Sequence, residues 1–236
     1  MRSSSWSAGV VPVSSDSRVV DVLGEIAAQR IVPVLRSRGP ADAIATARAC
    51  ARGGMRVIEL THSTADVESA VRVLVEQDDL IVGVGTVTDP DQVRASVALG
   101  ARFIVSYAFD SQVVETAVEL GVVVIPGAFT ATEVANCRRA GASAVKLFPA
   151  HLVEPSYLGD LRAVMPGTEF MVTGGIPSTP EGIHPWLDAG ALAVGLGSAL
   201  GNAAADGADE VERRCRKALG IGQAGSKERP QWQTSS

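Results

Sequence analysis

The chain has 236 residues, a formal net charge of −5, 46% hydrophobic residues and only 4% aromatic ones. That length suits one large domain with an aliphatic core, and an acidic balance without a basic patch argues against nucleic acid as a partner. No apolar run approaches the ~18 residues that a membrane-spanning helix needs.

Met1 to Ser17 is Ser-rich and lacks the apolar stretch of a secretory signal, so residues 1–17 read as a disordered tail of a cytoplasmic protein. Cys50, Cys137 and Cys215 are odd in number and far apart, which indicates neither a disulfide framework nor a zinc site. Arg18 to Gln29 places Val19, Val20, Leu23, Ile26 and Ala27 at helical spacing and predicts a lead-in helix.

Eight short apolar runs follow: Ile31–Leu35, Met55–Leu60, Leu80–Val84, Arg102–Val105, Val122–Ile125, Ser143–Leu147, Glu169–Val172 and Ala191–Leu196. Amphipathic stretches with helix start signals lie between them. Examples are Asp89-Pro90, Thr130 with Glu133, and Ser178 with Glu181, the last two spaced as capping boxes. Gly53, Gly100, Gly121, Gly141 and Gly190 fall just before a strand, where a left-handed helix cap is expected. Strand and helix alternating eight times, with strands apolar on both faces, predicts a single (β/α)8 TIM barrel over residues 18–220. An open doubly wound sheet is the competing architecture, but Arg36-Ser-Arg-Gly39 is no dinucleotide fingerprint. Residues 221–236 read as a second disordered tail.

Reactive groups of such barrels gather where the strands end, because the βα loops converge there. The exits carry Arg36, Glu59-Leu-Thr61, Gly85-Thr86, Ser106-Tyr107, Lys146-Leu-Phe148, Thr173-Gly-Gly175 and Gly197-Ser198. The sequence has three lysines against eighteen arginines, and the other two, Lys217 and Lys227, lie in the polar C-terminal part. Lys146 instead sits among Val145, Leu147 and Phe148. Apolar surroundings disfavour an ammonium and free the amine to attack a carbonyl; the alternative is a lysine that snorkels outward or pairs with a carboxylate. Glu59 on the same rim can give and take the protons that imine chemistry requires, or can serve only as a salt-bridge partner. Thr173-Gly174-Gly175 with Gly197-Ser198 matches the usual phosphate site of these barrels, where backbone N–H groups and a helix start attract an anion.

Five segments, Val57-Ile-Glu-Leu-Thr61, Gly83-Val-Gly-Thr-Val87, Ile125-Pro-Gly127, Val145-Lys-Leu-Phe-Pro-Ala150 and Thr173-Gly-Gly-Ile176, resemble the 2-keto-3-deoxy-6-phosphogluconate aldolase family in order and content. That family includes 4-hydroxy-2-oxoglutarate and phosphogalactonate aldolases, and the resemblance spans roughly Ile31 to Leu200. It implies a class I aldolase that releases pyruvate and an aldehyde such as glyceraldehyde 3-phosphate, with no metal and no cofactor, working as a homotrimer. It assigns Lys146 to the Schiff base and Glu59 to general acid/base catalysis. Thr86 and Thr173 would line the pyruvate end, Phe148 would form the wall, and Gly174, Gly175, Gly197 and Ser198 would hold phosphate. Many members carry an arginine where this chain has Ser63; others carry one at the end of the first strand instead, and the resemblance to these makes Arg36 the candidate carboxylate clamp. Tyr107 departs from the family's usual proline, and His62 and His151 are further candidates for substrate contact. A non-covalent phosphosugar isomerase and a catalytically silent sugar-phosphate-binding barrel remain alternatives.

Overall fold

The computed structural model describes residues 17–224; residues 1–16 of the tail expected at 1–17, and residues 225–236 of the second, lie outside the described residues, while Ser17 opens the first helix. The strands are β1 (Ile31–Leu35), β2 (Val57–Thr61), β3 (Ile81–Gly85), β4 (Phe103–Val105), β5 (Val123–Ile125), β6 (Gly127–Ala128), β7 (Val145–Leu147), β8 (Phe170–Thr173) and β9 (Ala193–Leu196). Every pairing is parallel, in the order β5-β4-β3-β2-β1-β9-β8-β7-β6.

Nine strands make eight staves. β5 pairs with β4 and β6 with β7, and the two are halves of one stave divided at Pro126, which has no N–H to offer a ladder. Carbonyls of that stave accept the N–H groups of Ser143 (onto Val124, 3.0 Å), Lys146 (onto Pro126, 2.8 Å) and Phe148 (onto Ala128, 3.2 Å). These bonds close the ring, so the predicted TIM barrel is the observed one.

The outer helices are α2 (Pro40–Arg52), α3 (Val67–Leu74), α4 (Pro90–Ala98), α5 (Ser111–Glu119), α6 (Ala131–Arg139), α7 (Pro155–Val164) and α8 (Pro180–Asp188). The chain ends with the single turn α9 (Ala203–Asp206) and the long α10 (Ala208–Ala224). Strand side chains alternate between two layers. Ile58, Leu60, Val84, Ile104, Val145, Leu147 and Val172 pack outward against these helices. Val32, Val57, Phe103, Val105, Ile125 and Met171 pack inward with Val22 and Ile26 of the lead-in helix α1 (Ser17–Gln29). Because α1 touches β1, β2, β5 and β9, staves on different sides of the ring, it lies across the mouth where the strands begin. Only the other mouth is left for a site.

Three local expectations need correction. The C-terminal boundary at 220 falls too early: α10 continues to Ala224, with Ile221 and Gly222 buried and the Ile221 carbonyl 3.0 Å from His184 Nε2. A side chain at Gly222 would stand 2.8 Å from Ile31 Cγ1, so this last turn packs directly on β1. The left-handed residue ending α2 is Gly54 (φ +94°), while Gly53 stays helical at φ −73°. And α8 is capped by Thr179, whose hydroxyl accepts from Gly182 N–H, because Pro180 holds its predecessor extended.

The expected capping box at α6 is present, with the Thr130 hydroxyl bonded to the Glu133 N–H and the Glu133 carboxylate returned to the Thr130 N–H at 2.8 Å. Bonds from the Phe129 and Thr130 N–H groups hold the Glu133 carboxyl below the usual range. Thr130→Ala should lower the unfolding free energy by about 1 kcal/mol in chemical denaturation at neutral pH.

Candidate active site

Register and alternation bring the two chemical residues together. On β2, Val57, Glu59 and Thr61 share the inward face, and Glu59 lies opposite Val34 of β1 and Gly83 of β3. On β7, Val145 and Leu147 face the helices, so Lys146 faces the interior beside Met171 and Gly127. The result is an apolar barrel interior with a polar top layer. Lys146 Nζ stands 3.6 Å from Glu59 Oε1, with Lys146 5% exposed and Glu59 fully buried. Neither carboxylate oxygen of Glu59 has a hydrogen-bond partner among the described residues. The Phe148 ring lies 5.6 Å from Lys146 Nζ, within cation–π range.

Electrostatics follow from that burial. Desolvation pushes the Glu59 carboxyl above its ordinary range, against the attraction of Lys146 and, more weakly, of Arg36. The raised direction means that dehydration outweighs the neighbouring cations. A carboxyl in this state holds its proton at a pH where a surface glutamate has lost it, which suits a group that must both donate and accept.

Space for the carboxyl comes from glycines. A Cβ on Gly85 would stand only 1.8 Å from Glu59 Oε1, and one on Gly83 would sit 2.3 Å from the Phe103 ring. Two adjacent inward positions of β3 are thus emptied, one for the deepest aromatic and one for the buried acid. The next residue, Thr86, is a β-branched residue in the left-handed region at φ +63°. Such backbone strain gathers at functional positions.

Above this pair opens a cavity of about 1070 Å³. Arg36, Thr86, Lys146, Phe148, Thr173, Gly174, Gly175, Gly197 and Ser198 all line it. Glu59 does not reach its surface and lies behind Lys146. The Thr173 hydroxyl is buried without a hydrogen-bond partner among the described residues. Gly174 and Gly175 take φ of +112° and +72°, conformations that glycine adopts without the cost a side chain would add. Arg36 is exposed at the rim with no carboxylate in salt-bridge range among the described residues. Ser63 and Tyr107 also line the cavity, whereas His62 and His151 do not; His151 packs beside Gly175 from outside. Among the described residues no cluster of His, Cys, Asp or Glu could hold a metal ion. Sequence reading missed Thr46, Asn202 and Asp206, which line the same cavity from α2 and α9. Thr46 lies in a helix interior, Asn202 caps α9 and Asp206 ends that single turn, so no periodicity marks them.

The family model for KDPG and KHG aldolase matches residues 22–215. The 2-dehydro-3-deoxy-6-phosphogalactonate aldolase of Escherichia coli (strain K12) is 35% identical over 191 residues, covering 80% of this chain and 90% of that one. A chain in a cube-shaped, highly porous cage designed by fusing symmetric oligomeric domains superposes with a TM-score of 0.78 at 31% identity, over 83% of this chain and 73% of that one. The KDPG aldolase of Legionella pneumophila, with pyruvate captured at low pH as a covalent carbinolamine intermediate, superposes with a TM-score of 0.71 at 26% identity, over 87% and 98%.

If Gly85 exists to make room for the acid, Gly85→Ala should displace the Glu59 carboxyl and depress turnover as strongly as removing that carboxyl. Borohydride trapping of pyruvate by the variant should slow in parallel, because the same carboxyl is placed to give the proton that dehydrates a carbinolamine. Matched by the family model along most of its length and by a relative at 35% identity, the chain belongs to the KDPG and KHG aldolase family.

Proposed function

We propose that this lyase cleaves a 2-keto-3-deoxy-6-phospho sugar acid to pyruvate and an aldehyde such as glyceraldehyde 3-phosphate through a Schiff base on Lys146. The observation that carries this reading is the dry Lys146–Glu59 pair, 3.6 Å apart, at the floor of a cavity with a guanidinium on its rim and a glycine-rich loop beside it. The covalent carbinolamine captured in the Legionella pneumophila relative supports the same chemistry.

The unprotonated Lys146 amine attacks the C2 ketone and forms a carbinolamine. Protonated Glu59 delivers a proton to the leaving hydroxyl, so water departs and an iminium remains. Glu59, now a carboxylate, takes the proton of the C4 hydroxyl directly or through one water. The C3–C4 bond breaks, its electron pair flows toward the iminium nitrogen as the enamine, and C4 leaves as the aldehyde. Protonation of the enamine at C3 and hydrolysis of the iminium release pyruvate and restore the amine. Burial amplifies each charge interaction along this path. Arg36 holds the C1 carboxylate through its planar fork, and the Thr86 and Thr173 hydroxyls orient the pyruvate end. Phe148 forms the wall, and Gly174, Gly175, Gly197 and Ser198 receive the phosphate through N–H groups and a hydroxyl.

A second substrate, the C4 epimer derived from galactonate, is favoured by the identity to the Escherichia coli relative. The same residues serve both epimers, and assaying the two side by side assigns the preference. Lys146→Ala should abolish cleavage and the pyruvate adduct together. Glu59→Gln should lower turnover by about 10²–10⁴-fold. Because Glu59 must start protonated to expel water from the carbinolamine and its pKa is raised, activity should persist above the ordinary carboxylate value of about 4.3 and fall as the pH rises through the raised pKa. That limb should vanish in Glu59→Gln. Wild-type rates in Glu59→Gln would remove the residue from proton transfer.

We further infer a cytoplasmic homotrimer. Support comes from the relative used among symmetric oligomeric domains and from the exposed apolar side chains Val118, Leu120, Leu152 and Val164. Sedimentation equilibrium should return the mass of three 24.4 kDa chains.

A further inference from the structure

The loop after β1 and the loop after β9 meet at one side chain, Asn202. Its Nδ2 donates to Asp42 Oδ2 at 2.9 Å and to Ser37 Oγ at 3.4 Å, while its Oδ1 accepts from the Ala204 N–H at 2.9 Å and caps α9. Its own N–H donates to Asp206 Oδ2 at 2.9 Å, and Asp206 is held in turn by Arg214 at 3.3 Å. The neighbouring Ala203 N–H bonds the buried Thr46 hydroxyl of α2 at 3.0 Å. No residue of α9 is buried, although Leu200 just before it is. Beyond Leu200 the segment is held by polar bonds, four of which Asn202 makes through its side chain and its own N–H.

On its other side the β1 loop is tied to β2. The Ser37 N–H donates to Thr64 Oγ1 at 3.1 Å, and the Leu35 carbonyl accepts from Thr61 Oγ1 at 3.1 Å. The backbone on both sides of Arg36 is therefore pinned while the guanidinium stays exposed. Four residues before Asn202, Ser198 lines the same cavity.

We propose that Asn202 is a positioning residue that fixes the separation between Arg36 and the Gly197–Ser198 loop. It thereby sets the length of keto acid that can engage both ends at once. The identity of that ligand rests on the aldolase reading; the tether itself does not. Asn202 touches neither reacting carbon nor amine in this scheme, so its loss acts on binding geometry.

The test is a reciprocal exchange of the bonded pair. Asn202→Asp sets two carboxylates at hydrogen-bond distance, whereas combining it with Asp42→Asn restores an amide–carboxylate bond in the opposite sense at the same net charge. Asn202→Asp should raise KM for the phosphorylated six-carbon keto acid about tenfold, with kcat within about twofold. The double variant should return KM to near the wild-type value. Thermal unfolding of each variant separates this split from general destabilisation. A wild-type KM in Asn202→Asp overturns the proposal, as does a double variant of wild-type thermal stability whose KM stays raised. Should the wild-type protein cleave none of the keto acids, the aldolase reading fails and crystal structures of the same variants decide the tether. A gap between Ser37 and residue 202 that widens in the single variant and closes in the double one supports it, and an unmoved loop overturns it.

Discussion

The structure depends on keeping a carboxyl and an amine dry inside a closed barrel. Burying a carboxyl whose oxygens accept no hydrogen bond from the described residues is costly even beside Lys146, and a raised pKa lets the group shed its charge. The apolar lower layers, the plug formed by α1 and the glycine-emptied positions of β3 all contribute to that dryness. A hydrophobic replacement would pack more easily at either position. The strained Thr86 beside Gly85 belongs to the same concession of stability around the site.

Closure of the ring is what gives the pair its geometry. The fifth stave is broken at Pro126, yet its carbonyls still receive β7 on one side while β5 joins β4 on the other. One of those bonds is made by the Lys146 N–H itself. The backbone of the proposed nucleophile is thus fixed by the same contact that completes the barrel, leaving its side chain to extend toward Glu59. A barrel opened at this seam would lose both the ladder and the alignment of the two groups.

The cavity above the pair is lined by groups on neighbouring staves, with Arg36 following β1 and Gly197 following its paired strand β9. Cationic Arg36 and the hydroxyls of Thr86 and Thr173 stand on staves that enclose the lysine, and exposed backbone groups follow β8 and β9. Their separation is set by loops that carry little apolar burial, so hydrogen bonds through Asn202, Thr46 and Thr64 replace packing as the structural constraint. Such bonds are directional and individually modest. They define a span well without adding much to overall stability.

The amino-acid sequence by itself determined the architecture and most of the candidate site. Eight apolar runs separated by capped amphipathic segments allow few other folds, and a lone lysine among Val145, Leu147 and Phe148 already marks unusual chemistry. The α6 capping box was legible because its bonds are local. Tertiary structure decided what depends on side chains far apart in the chain. The depth of Glu59 behind Lys146 arises from stave register and from missing atoms at Gly83 and Gly85. The continuation of α10 to Ala224 arises because a polar-looking end finds β1 and His184 to rest upon. Asn202 and Thr46 join the site only once α9 is laid against α2. Local propensity reports the helices and strands a segment prefers; burial and long-range hydrogen bonds exist only after the barrel has closed.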